Sequence, residues 1–156
     1  MYEKKFMEEA IRLAVENVKN GTGGPFGAVV VKNGEIVAAC GNSVTPDNDP
    51  TAHAEVNAIR EACRKLSTHQ LDGCEIYASC EPCPMCLGAI YWARPLKVYY
   101  ACTKEDAAEA GFDDSFIYKE IALPEASRTI PFLNQREKEA GDEFRLWGKT
   151  VNKTEY

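Results

Sequence analysis

Glu75-Ile76-Tyr77-Ala78-Ser79-Cys80-Glu81-Pro82-Cys83-Pro84-Met85-Cys86-Leu87-Gly88-Ala89-Ile90-Tyr91-Trp92-Ala93-Arg94-Pro95-Leu96-Lys97-Val98-Tyr99-Tyr100-Ala101-Cys102 contains two strand-like runs around one helix-like run. Residues 75–79 read as a strand. Pro82 opens a helix that reaches about Ala93, because proline fits a first helical turn, where its missing N–H had no partner to lose. Arg94-Pro95 stops that helix, and residues 97–102 return as a strand. Two strands joined by so short a helical crossover lie parallel, with a right-handed connection. Upstream, residues 26–32 and 35–40 are apolar and rich in β-branched side chains. Asn33-Gly34 between them is a two-residue hairpin signal. The expected sheet is therefore mixed, a hairpin followed by parallel strands, with helices on its faces.

The flanking segments complete a single α/β domain of 156 residues, with no repeat, low-complexity tract or linker. Phe6, Ala10, Ile11, Ala14 and Val18 recur at steps of three and four, which predicts an amphipathic first helix that Gly21-Thr22-Gly23-Gly24-Pro25 ends. Residues 43–52 read as a loop, and 53–66 as a helix with Val56, Ile59, Cys63 and Leu66 facing inward. Beyond 103, residues 106–110 and 114–121 read as short helices. Residues 143–151 read as a terminal helix that uses Phe144, Trp147 and Val151, and a polar run leads to Tyr156.

Composition narrows the function classes. The net charge is −6, and an acidic surface forfeits the counterion release that drives nucleic-acid binding. The densest basic cluster, Arg60, Arg64 and Lys65, has the spacing of a solvated helix face. No stretch approaches the ~20 apolar residues of a membrane span, and the charged start Met1-Tyr2-Glu3-Lys4-Lys5 is unlike a signal peptide. The expectation is a cytoplasmic protein with a small-molecule substrate, no nucleic acid and no membrane. In a reducing compartment its seven cysteines are metal ligands or buried packing groups rather than disulfides.

His53-Ala54-Glu55 stands at one predicted helix start and Pro82-Cys83-Pro84-Met85-Cys86 at another. Zinc takes nitrogen and sulfur ligands in a tetrahedron, and a catalytic site keeps its fourth position for water. Cys83 and Cys86, three apart, share one helix face, and the positive helix start favours their thiolates. With His53 they make three ligands. Glu55, two residues on, is badly placed to ligate the same ion but well placed beside its water, where a general acid/base belongs. Zinc brings such water to a pKa near ~7 in favourable sites.

Closed structural zinc would need a fourth protein ligand, and Cys74, Cys80 and His69 are the possible ones. Cys80 also extends the motif to Cys-x-x-Cys-x-x-Cys, the start of a bacterial ferredoxin run. That pattern then requires a cysteine at position 90, where this chain has Ile90. Cys80 is accordingly read as a buried strand-end residue. Cys40, Cys63, Cys74 and Cys102 are read as packing thiols.

His53-Ala54-Glu55 with Pro82-Cys83-Pro84-Met85-Cys86 matches the signature of the zinc nucleobase deaminases. The chain resembles the cytidine deaminase superfamily, in the branch that holds guanine deaminases and tRNA adenosine deaminases. Stretches at 23–32, 48–55, 86–95 and 107–120 are similar to bacterial guanine deaminases; residues 133–149 match less clearly, and the terminal Tyr156 fits the same branch. The resemblance implies a three-layer α/β/α sandwich around a mixed five-stranded sheet. It implies one Zn²⁺ per subunit and hydrolysis of guanine to xanthine and ammonia, with zinc-activated water and Glu55 as proton shuttle. It also implies a homodimer that exchanges the segment from roughly 132 to 156. Phe26 and Trp92 would line the base pocket beside Ala54, Asn42 and Asp114 would hydrogen-bond the base, and Tyr156 would close the site from the other chain. An ionised carboxylate suits guanine's adjacent ring N–H and amine, and Asp113 is an alternative to Asp114 for that role. The competing readings are a guanosine deaminase, a tRNA adenosine deaminase and a non-catalytic zinc or base-binding module.

Overall fold

The computed structural model describes residues 1–156, in two compact units, Met1–Asp114 and Ser115–Tyr156. The first unit runs α1 (Lys4–Asn20), β1 (Gly27–Lys32), β2 (Glu35–Gly41), α2 (Val44–Asp47), α3 (Ala54–Leu66), β3 (Cys74–Cys80), α4 (Pro84–Ala93), β4 (Lys97–Cys102) and α5 (Lys104–Glu109). The strand order is β2-β1-β3-β4. β1 pairs antiparallel with β2 and β3, and β3 pairs parallel with β4 across the α4 crossover. Asn33 and Gly34 turn the hairpin with φ of 53° and 78°, the left-handed pair that a two-residue turn requires.

The central strands β1 and β3 are buried, with helices packed on both faces of the sheet, so the fold is the expected three-layer sandwich. Ala28 and Val30 pack with Ala54, Ala58 and Ala62 of α3 and Ile90 and Ala93 of α4. Val29 and Val31 point the other way, into a cluster with Phe6, Met7 and Ala10 of α1. That is why β1 reads as an unbroken apolar run rather than an alternating one. On α1, Phe6, Ala10 and Ala14 are buried as expected, whereas Ile11 and Val18 are exposed.

Three expectations need correction. The sheet has four strands, not five. No fifth forms because the remaining apolar run, Ile130-Pro131-Phe132-Leu133, is interrupted by a proline that has no N–H for a ladder. The 43–52 loop contains one helical turn, α2. The helix after β3 begins at Pro84 rather than Pro82.

The second unit holds α6 (Ser115–Ala122), a 3₁₀ turn at Glu125–Ser127 and α7 (Asp142–Lys149). None of its residues is buried. Phe144, Trp147 and Val151, expected to pack inward, are exposed.

Candidate active site

Both metal-binding motifs sit at helix starts for local reasons. Pro84 is the first residue of α4 and drives the residue before it into extended backbone. Cys83 accordingly caps the helix with φ −64° and ψ 167°, which leaves Cys86 on the first turn. His53 caps α3 in a similar conformation, φ −69° and ψ 153°. Glu55 is the second residue of α3.

The fold brings these starts together. His53 Nδ1 lies 3.5 Å from the sulfur of Cys83 and 3.5 Å from that of Cys86. The two sulfurs are 3.6 Å apart. A tetrahedral zinc with Zn–S near ~2.3 Å and Zn–N near ~2.05 Å expects edges of about 3.8 Å and 3.6 Å. The donor triangle fits zinc, and it fixes Nδ1 as the ligating nitrogen of His53. Cys80 stays outside this group. It is buried at the end of β3, and its thiol donates to the Thr103 carbonyl at 3.4 Å.

The electrostatics match the geometry. A hydrogen bond from Cys86, with His53 alongside, holds the Cys83 thiol down at about 4. Cys86 itself is raised, because it donates to Cys83 and is buried. His53 is raised, chiefly by its hydrogen bond with Cys83. Glu55 is 7% exposed, and burial raises its carboxyl group. A buried carboxyl with an elevated proton affinity next to a three-donor metal cradle is the pattern of a proton shuttle.

Residues 1–102 match the family described as the cytidine and deoxycytidylate deaminase zinc-binding region. The chain belongs to that family. Among its relatives is a guanine deaminase of Bacillus subtilis, 59% identical over 156 residues and covering all of both chains. A solved guanine deaminase structure from the same organism superimposes with a TM-score of 0.97, covering 100% of this chain and 99% of that one. A tRNA-specific adenosine deaminase of Aquifex aeolicus is 46% identical over 101 residues, 65% of this chain and 66% of its own. This deaminase chain thus carries the family's zinc site in His53, Cys83 and Cys86.

The remaining candidate residues fall in different places. Ala54 is fully buried between His53 and Glu55. Asn42 is buried just past β2, with its Oδ1 accepting from the N–H groups of Gly24 and Val44. Phe26 is half-buried and meets Phe112 edge-on at 5.0 Å. Asp114 is half-buried, and burial and the nearby Cys83 raise its carboxyl group; Asp113 is exposed. Trp92 is 63% exposed and lies roughly 9 Å along α4 from Cys86, at 1.5 Å per residue. Tyr156, in the second unit, is exposed.

Beside Phe26 an apolar recess of about 550 Å³ is lined by Val15, Val18, Cys102 and Phe112, but by none of the metal donors. Residues that sequence reasoning missed are Asn17 and Asn57. Each holds backbone groups around Asn42 across 16 to 25 residues of chain, and no periodic or local pattern marks such contacts.

Proposed function

We propose that this deaminase hydrolyses guanine to xanthine and ammonia, with His53, Cys83 and Cys86 holding the metal and Glu55 moving the protons. The observation that carries the proposal is the 3.5, 3.5 and 3.6 Å donor triangle with buried Glu55 beside it. The full-length similarity to a guanine deaminase supports the choice of base.

Zinc in such a site supplies Lewis acidity, so that a water molecule becomes acidic near neutral pH. Glu55 takes the proton of that water as its oxygen bonds to C2 of guanine. It would pass that proton to a ring nitrogen, then take the remaining hydroxyl proton from the C2 adduct and deliver it to the amine, so that C2 keeps the oxygen as a carbonyl, the C2–N bond breaks and ammonia leaves. Burial of Glu55 serves this exchange, because it raises the proton affinity of the carboxylate that must accept the proton. Asp114, acceptor-only when ionised, pairs with guanine's N1–H and 2-amino group. It is preferred over Asp113 because it is the more buried of the two and lies in the field of Cys83. Ala54 and Phe26 flank the base, and Asn42 donates to it.

The whole chain is then one deaminase domain whose last segment, from about 132 to 156, is exchanged in a homodimer. Exposed Phe132, Leu133, Phe144, Leu146 and Val151, in a unit with no buried residue, support that reading. In the exchanged dimer Tyr156 closes the partner's site, and Trp92 completes the pocket wall. The seven free thiols favour a reducing cytoplasm. No helix is long and apolar enough to cross a membrane.

Ammonia release measured side by side on guanine, guanosine, adenine and cytosine is the test, with guanine expected to dominate. Faster turnover of guanosine would move the substrate to the nucleoside. Inosine formed in tRNA would move it to RNA, and no ammonia from any of them would leave a binding module.

A further inference from the structure

Asn42 has every hydrogen-bonding group but one engaged inside the chain. Its N–H donates to the Phe26 carbonyl at 3.0 Å, and its own carbonyl accepts from Asn17 Nδ2 at 2.8 Å. Its Oδ1 accepts from the N–H groups of Gly24 and Val44, both at 3.2 Å. The Nδ2 amine makes no hydrogen bond within the chain. Turning the amide over would set that amine against two N–H donors, so the backbone dictates its orientation. Asn42 therefore offers a ligand a donor and not an acceptor.

One side chain holds the frame that does this. Asn17, on α1, donates through Nδ2 to both Gly24 O at 3.1 Å and Asn42 O. Thr22 Oγ1 donates to Asn17 Oδ1 at 3.2 Å and so sets which end of the amide faces those carbonyls. There is no slack around it: a Cβ on Gly23 would overlap the Asn42 carbonyl oxygen, and one on Gly41 would stand 2.7 Å from Asn17 Nδ2. From α3, Asn57 Nδ2 holds Gly41 O at 3.1 Å and Ser43 Oγ at 2.9 Å. Two helices thus grip the end of β2 on either side of Asn42.

We infer that Asn17 is a positioning residue for base selection. By tying Gly24 to Asn42 it keeps the Asn42 amine turned toward the ligand. The site then accepts a purine with a carbonyl oxygen or ring nitrogen at that edge and rejects one with an amine there, where two donors would meet. The inference rests on the reading that Asn42 contacts the base.

The test is a double-mutant cycle on the zinc-loaded full chain, with kcat, KM for guanine and zinc content measured for Asn17→Asp, Asn42→Ala and the pair. Asn17→Asp keeps the shape and replaces the donor with an acceptor facing two carbonyls. It should raise KM roughly tenfold, the worth of about one hydrogen bond, with kcat less affected and zinc unchanged. In the Asn42→Ala background it should add nothing. Thr22→Val, a milder change at an exposed site, should raise KM a few-fold and should also lose its effect without Asn42. An unchanged KM in both Asn17→Asp and Thr22→Val, or additive effects with Asn42→Ala, would overturn the inference and leave the Asn42 contact standing. An unchanged KM in Asn42→Ala itself would remove that contact and the inference with it.

Discussion

Glu55 is a carboxyl group placed where water is scarce, two residues beyond a metal donor. Its replacement by glutamine keeps size and hydrogen bonding but removes the proton acceptor. Glu55→Gln should bind one zinc per chain, as atomic absorption reads it, yet turn over guanine about 10²–10⁴-fold more slowly. Cys83→Ala removes one corner of the donor triangle instead and should lose both zinc and activity. The candidate donors and carboxylate stood out in the sequence because few residue types can do such chemistry, and their spacing at two helix starts left little choice; the structure brings His53, Cys83 and Cys86 together and buries Glu55. Asn17 and Asn57 were not legible. Their contacts join backbone groups on separate elements, and asparagine in a helix usually signals nothing beyond solvent. Asp113 and Asp114 likewise differ in burial, Asp114 being the less exposed, a difference that neighbouring identical residues cannot reveal in a sequence.

At the scale of elements, the donor set joins the starts of α3 and α4, two helices otherwise linked through Ala54, Ala58, Ile90 and Ala93 in one apolar cluster. Metal binding is therefore also a clamp between helices. A ligand held at ~100 times its Kd adds about 2.7 kcal/mol of stability. At about 2–4 °C per kcal/mol for a chain of this size, chelation should lower the melting temperature by at least about 5 °C. Hydrogen exchange should quicken in the first turns of α3 and α4 and stay slow in β1 and β3; uniform quickening would contradict the clamp. The central strands were readable because strands buried on both faces need continuous apolar runs. The exact start of α4 was not, since Pro82 and Pro84 each satisfy a first-turn rule and only the extended backbone of Cys83 separates them. The strand count failed for a different reason: it came from the resemblance, and nothing after β4 has the alternation and free N–H groups of a strand.

At the scale of the whole molecule, Met1–Asp114 contains both apolar clusters, while Ser115–Tyr156 has no buried residue. A segment that carries Phe144, Leu146 and Trp147 in the open lacks a core of its own. Deleting residues 151–156 should leave zinc content unchanged and raise KM or reduce turnover, if the tail closes a site; kinetics identical to the full chain would make the tail a bystander. The same coreless segment has a consequence for how much enzyme is an enzyme. In the proposed exchanged dimer a site finished by another molecule would obey mass action, so its rate per chain would fall as the solution is diluted past the dimer's dissociation constant. Catalytic capacity would then scale more steeply than the number of chains, and a cell making little of this protein would have disproportionately little of its activity.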